Sequence, residues 1–129
     1  MRTLRMNEPA PGREPLRGEV WEVCPDPPVG CEINKRRPAV VISLSGVGKL
    51  PLRIVVPVTE WKPAYTKCPW HIRLIPSSLN GLTKESSADC FQVKSVSMKR
   101  FRTRIGVLRP SEVETIAAAV ALCVGFRSL

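Results

Sequence analysis

Val29-Gly-Cys-Glu-Ile-Asn-Lys-Arg-Arg-Pro-Ala-Val-Val-Ile42 passes, within fourteen residues, from a turn-prone charged loop through a proline into a wholly apolar run. The absence of alternation from Ala39 to Ile42 predicts a strand buried on both faces, within Arg37–Leu44. A strand of that kind anchors a core, while the loop before it stays in solvent. Loops held by rigid scaffolds are where binding and catalytic groups concentrate. This one offers one carboxylate, Glu32, and three cations, Lys35, Arg36 and Arg37.

Upstream, Arg17-Gly18 reads as a turn into a strand Glu19–Cys24, with Val20, Glu22 and Cys24 opposite Trp21 and Val23. Cys24-Pro-Asp-Pro-Pro-Val-Gly30 excludes regular structure, because its prolines fix φ and lack an N–H. Residues 1–16, rich in Pro, Glu and Arg without periodicity, are expected to be a disordered lead to a domain of residues 17–129. Met6 is an alternative start.

Downstream, Ser45-Gly-Val-Gly-Lys49 lacks the full spacing of a phosphate-binding loop and no helical pattern follows, so it reads as a hairpin turn. Leu52–Thr59 is a strand rich in β-branched residues, and Trp61–Lys67 a loop. Trp70–Ile75 alternates, with Trp70, Ile72 and Leu74 on one face and His71 and Arg73 on the other. Pro76–Leu82 turns the chain at Asn80-Gly81. Ser87–Ser97 is read as one strand, Met98–Arg102 as a basic connector and Thr103–Leu108 as a short last strand. Ser111 and Glu114 fit a capping box that opens a helix to Phe126, with Val113, Ile116, Ala117, Val120 and Val124 at helical spacing. Many short strands and one terminal helix predict a mainly β (α+β) fold: a small barrel or strongly bent sheet with the helix packed on it.

Twenty Lys and Arg against eleven Asp and Glu leave a net charge of +9. The excess is concentrated: residues 33–110 hold fifteen basic side chains and only Glu60, Glu85 and Asp89 as acids. A folded middle of that charge attracts polyanions, nucleic acid first and a membrane surface second. Five cysteines without a Cys-x-x-Cys spacing argue against a disulfide framework and a zinc site, so reduced thiols are expected. The longest apolar run, Ile116–Val124, falls far short of the roughly 20 residues of a membrane span. Met1–Leu16 lacks the apolar core of a secretory signal. The expected compartment is the cytoplasm.

A basic protein with a carboxylate and an arginine on one loop can bind nucleic acid or cleave RNA without a metal. A base removes the ribose 2′-hydroxyl proton, the oxygen attacks the adjacent phosphate, and cationic donors hold the charge that develops. Proton transfer contributes about 10²–10⁴-fold and fixed donors roughly 10²–10³-fold. With His71 as the only histidine, a two-histidine nuclease is excluded. No carboxylate cluster accompanies Glu32, so no metal and no cofactor is expected. Glu32 is then the proton acceptor and Arg37 the permanent cation.

Four segments resemble a known family. Arg17-Gly-Glu-Val-Trp21 is similar to the opening of MazF/PemK-type toxins, the mRNA interferases of toxin–antitoxin modules. Gly30-Cys-Glu32, with Arg37-Pro-Ala-Val-Val41 after it, resembles their Gly-Ser-Glu…Arg-Pro signature. Val56-Pro-Val-Thr59 resembles the strand ending in their functional threonine, and Gln92-Val-Lys-Ser95 a late Gln-[Val/Ile]-[Lys/Arg]-[Ser/Thr] segment. The resemblance spans about residues 17–126. It implies an SH3-like CcdB/PemK-type barrel, a homodimer, an antitoxin partner and cleavage of single-stranded RNA. It also implies that Arg37 and Thr59 act at the phosphate with Glu32 as general base.

Cys31, Lys35, Arg36, Trp61, Gln92, Lys94 and Ser95 are expected to contact RNA, Trp61 by stacking a base. The run Lys99-Arg-Phe-Arg-Thr-Arg104 could track a phosphate backbone. Cys31 departs from the family's common serine, and Asn34-Lys35-Arg36 replaces a smaller stretch. Two alternatives stay open: a CcdB-like toxin that inhibits a protein such as DNA gyrase, and a catalytically weakened RNA binder.

Overall fold

The computed structural model describes residues 14–25, 31–45 and 50–126. Its strands are β1 (Glu19–Val23), β2 (Arg37–Val41), β3 (Leu52–Glu60), β4 (His71–Leu74), β5 (Ser86–Asp89), β6 (Lys94–Ser97) and β7 (Phe101–Val107), and α1 (Pro110–Cys123) follows. Every pairing is antiparallel, in the order β4-β5-β3-β2-β1-β7 with β6 also on β3. This is the mainly β fold with one C-terminal helix that the sequence predicts. The hairpin turn at Ser45–Lys49 falls largely outside the described residues, as do residues 1–13 of the lead and most of the Pro-rich segment.

Strand alternation sorts the apolar residues into two cores. Val20, Val40, Val56, Val58, Leu74 and Ala88 pack with Val113, Ile116 and Ala119 of α1. Trp21, Val23, Ala39, Val41, Val55, Val96 and Phe101 form a second cluster on the other face. Ala39–Ile42 is thus buried on both faces, as its unbroken apolar run requires. Trp21, 1% exposed, meets the edge of Phe101 with ring centroids 5.8 Å apart. Its indole N–H and the Leu16 N–H donate to Glu19 Oε1 at 3.1 and 2.8 Å, while Arg104 Nε donates to Glu19 Oε2 at 2.7 Å. Partners of this quality are what make a buried carboxylate tolerable. Residues 14–16, assigned to the lead by composition, are held to β3: Arg53 donates to the Pro15 carbonyl at 2.8 Å and pairs with Glu14 at 2.9 Å.

The expected single strand Ser87–Ser97 is instead two strands separated by a 3-10 turn, Cys90–Gln92. Both pair with β3, and Val58↔Ala88 and Val55↔Lys94 bound a region where three steps along β3 match six along its partner. Pro57 lies in that region. It has no N–H for a ladder, and the surplus residues form the turn. The last strand is correspondingly longer than expected, from Phe101.

The helix starts earlier than its apolar pattern suggests. Pro110, with φ preset for a first turn, occupies N1, and the Glu112 carboxylate accepts the Arg109 backbone N–H at 3.0 Å. Ser111 and Glu114 do not form the expected capping box; Glu114 pairs with Arg17 at 3.3 Å. Val124 lies beyond the helix and is 72% exposed, and Ala119 takes the buried position instead. The Asn80-Gly81 turn packs on β7 so closely that a Cβ at Gly81 (φ +68°) would lie 1.8 Å from the Ile105 carbonyl oxygen.

Candidate functional site

Two segments 22 residues apart in sequence meet through register. β2 and β3 pair Ala39 with Pro57 and Val41 with Val55; Arg37 and Thr59 each lie two residues past the last of these pairs, at the same end of the ladder. Alternation puts both side chains on the face of Ala39, Val41 and Val55, away from α1. Both residues are exposed. Arg37 Nη1 donates to the Asn34 and Arg36 carbonyls at 2.7 and 2.9 Å. These bonds brace the guanidinium against the 3-10 turn Ile33–Lys35, and among the described residues Nη2 and Nε have no acceptor.

At this end of the second core a cleft opens. Val23, Ala39, Val55 and Pro57 line its apolar floor, and Lys35, Arg37, Lys94 and Arg100 its cationic wall. Among the described residues no carboxylate lines it; Glu32 stands outside the lining, at the head of the turn Ile33–Lys35 that carries Lys35. Arg100 Nε donates to the Cys24 carbonyl at 2.8 Å, and the Cys24 N–H to the Arg100 carbonyl at 2.8 Å, fixing the end of β1 to the cleft wall.

Cys24 and Cys31 form a disulfide with Cα atoms 6.0 Å apart, which corrects the expectation of reduced thiols at these two positions. The separation falls within the usual Cα range of a disulfide, about 4.4–6.8 Å. Cys31 therefore has no thiol to offer a phosphate. Glu32 follows directly, exposed, and among the described residues its carboxylate makes no hydrogen bond or ion pair. Cys68, Cys90 and Cys123 are free thiols. Burial pushes the Cys90 thiol up to about 12, with smaller contributions from Cys123 and Asp89. Burial also raises Cys123.

The remaining expected contacts divide. Lys35 and Lys94 reach the cleft with Arg37. Ser95, next to Lys94 on β6, points to the opposite face by alternation. Arg36 turns towards Glu22, at 3.9 Å. Gln92 donates to Asp89 Oδ2 at 3.0 Å. Trp61 stands beyond Thr59, edge-on to Tyr65 with centroids 5.8 Å apart.

The basic run 99–104 also separates. Arg100 faces the cleft, Arg104 binds Glu19, and Phe101 is a core residue rather than a stacking surface. Arg100 was legible only as one cation among several in that run. Ser87, fully buried opposite Thr59, gave no sequence signal.

Residues 16–124 match the family of PemK-like, MazF-like toxins of type II toxin–antitoxin systems. The chain is 31% identical over 112 residues to endoribonuclease MazF9 of Mycobacterium tuberculosis, covering 82% of this chain and 92% of that one. Among solved structures, a MazF from Deinococcus radiodurans superposes with a TM-score of 0.69 at 21% identity, covering 88% of this chain and 99% of that one. A mycobacterial endoribonuclease in complex with its cognate antitoxin gives 0.68 at 17% identity, covering 89% and 99%. At these identities the two structures speak for the fold alone. The family match extends from the lead-in of β1 past the end of α1, so the chain belongs to the PemK-like, MazF-like toxins of type II toxin–antitoxin systems.

Proposed function

We propose that this protein is an endoribonuclease toxin that cleaves single-stranded RNA without a metal ion. The observation that carries the reading is a cleft with cationic walls, Arg37 among them, and an apolar floor, on the face of the sheet that Thr59 also shares by alternation. Cations suit phosphates and an apolar floor suits an unstacked base.

In the reaction, Glu32 takes the proton of the 2′-hydroxyl. The freed oxygen attacks phosphorus, and the bond to the 5′-oxygen breaks. The products are a 2′,3′-cyclic phosphate and a 5′-hydroxyl, the leaving oxygen taking its proton from water. Arg37 Nη2 and Nε donate to the non-bridging oxygens, where charge accumulates and fixed donors act most strongly. The Thr59 hydroxyl adds a further donor. Lys35, Lys94 and Arg100 hold the strand on either side, while Arg36 and Gln92 contribute after leaving their present partners.

The reading extends to a homodimer in the cytoplasm, opposed by an antitoxin whose acidic and apolar tail competes with RNA for the cleft. A related mycobacterial endoribonuclease has been solved with its cognate antitoxin, and among the described residues no helix here is long and apolar enough to cross a membrane.

The test is incubation of the purified chain with long RNA in excess chelator, followed by end mapping. Cuts leaving 5′-hydroxyl ends are expected, with complete protection by a single 2′-deoxy substitution at the cut position. Activity lost to chelator, or cleavage of the deoxy substrate, would overturn the mechanism.

A further inference from the structure

Thr59 begins a row that crosses three strands. Thr59 pairs with Ser87 on β5, and Ser87 pairs with Arg73 on β4. The neighbouring row, Val58, Ala88 and Ile72, belongs to the helix-side core, so Thr59, Ser87 and Arg73 all face the other way, with Arg37. At about 4.8 Å per strand, the Arg73 backbone lies roughly 10 Å from that of Thr59. Ser87 between them is fully buried, capped by the His71 ring at 2.8 Å.

Arg73, at the far end of this row, is held in place by aromatic contacts. Its guanidinium carbon sits 5.1 Å above the Trp61 ring. Trp61 meets the edge of Tyr65, and Tyr65 stacks on His71 with centroids 3.6 Å apart and 7° between planes. A hydrogen bond of 2.8 Å between His71 Nδ1 and Ser87 Oγ anchors the stack to β5. Arg73 also pairs with Glu85, but both side chains are well exposed, at 53% and 39%. An ion pair so wet is weak and easily exchanged. Lys62 and Lys67, both exposed, bound the 3-10 turn Pro63–Lys67 that carries Tyr65.

We propose that Arg73, positioned by Trp61, is a second phosphate-binding residue, which takes the RNA phosphate next to the one at Arg37 and Thr59. This rests on the endoribonuclease reading. Trp61 then acts by aiming a cation rather than by stacking a base. Phosphate displaces or joins Glu85 at the guanidinium, whose several N–H groups can serve both partners.

The experiment uses the full chain and a short oligoribonucleotide with one cut site. Each phosphate flanking the cut is replaced in turn by a neutral methylphosphonate. A charge-assisted contact of this kind predicts a roughly tenfold rise in KM for Arg73→Ala, with kcat unchanged. One flanking methylphosphonate should cost wild type the same factor and cost Arg73→Ala nothing further, the non-additivity of a direct contact. Trp61→Ala should reproduce part of the loss in wild type and none in the Arg73→Ala background.

Additive losses, or an Arg73→Ala variant that cuts like wild type, would overturn the proposal while leaving the nuclease reading intact. If wild type does not cut at all, that reading fails separately. The affinity of the same oligomers carrying a 2′-deoxy cut site then decides on Arg73 by the same tenfold and non-additivity criteria.

Discussion

On one face of the sheet, Val20, Val40, Val56 and Ala88 lie beneath α1. On the other, Trp21, Ala39, Val41 and Val55 run out into a cleft walled by Lys35, Arg37, Lys94 and Arg100. The two faces share β1, β2 and β3, along which they differ in residue parity. The helix-covered face closes on itself. The other begins as a packed core and ends in solvent, so the side chains at its mouth are placed by a rigid scaffold yet remain free to meet a ligand. The division teaches that stability and activity should be separable by alternate residues on a single strand.

The sharpest way to break this comparison is Arg37→Ala. We expect RNA cleavage to fall by about 10³-fold, the scale of losing fixed donors at a reacting phosphate, with circular dichroism and melting temperature unchanged. Ile116→Ala on the covered face should do the reverse. It should cost about 2–5 kcal/mol in denaturant unfolding, with kcat per folded molecule preserved. If Ile116→Ala lowered kcat as strongly as Arg37→Ala, the separation of faces would be lost.

Between these extremes stands the disulfide, which ties the end of β1 to the loop carrying Glu32. Replacing both Cys24 and Cys31 by Ser should lower stability by about 2–3 kcal/mol, since a short closed loop is released in the unfolded chain; urea titration with and without reductant measures it. Thr59→Val keeps the strand's shape and deletes a hydroxyl, so a rate loss of roughly tenfold or more, without a change in melting, is expected for a lost hydrogen bond to a charged group.

The smallest effect belongs to Cys90, buried on the covered face. Its folded pKa, raised to about 12 from a usual value of 9.0, means that the unfolded thiol releases its proton first as pH climbs. The stability contributed by the neutral thiol is complete below pH 9 and disappears towards pH 12. At pH 10 the loss should be about 1 kcal/mol relative to neutral pH. Thermal melts of wild type and Cys90→Ala across pH 8–11 would show it as a steeper alkaline decline in wild type.

Much of this architecture is legible in the chain itself. The apolar run Ala39–Ile42 gives a doubly buried strand, and the alternation of Trp70–Leu74 separates His71 and Arg73 from the core. Pro110 and the spacing of Val113 and Ile116 give the helix, and the segments around Arg37, Thr59 and Gln92 give the family. All of these are short-range patterns, set by local sterics and by the periods of helix and strand.

What only the tertiary structure decided depends on residues far apart in sequence. Strand pairing put Arg37 and Thr59 on one face and ran a row from Thr59 through Ser87 to Arg73. The fold placed Cys24, at the end of β1, within bonding distance of Cys31. Pro57 broke the ladder facing it and divided one expected strand into two. From the basic run 99–104, packing selected Arg100 for the cleft, Arg104 for Glu19 and Phe101 for the core. Side-chain chemistry is written locally, but which groups share a face and a row follows from pairings between strands. Those pairings are settled only when the whole sheet closes over its two cores.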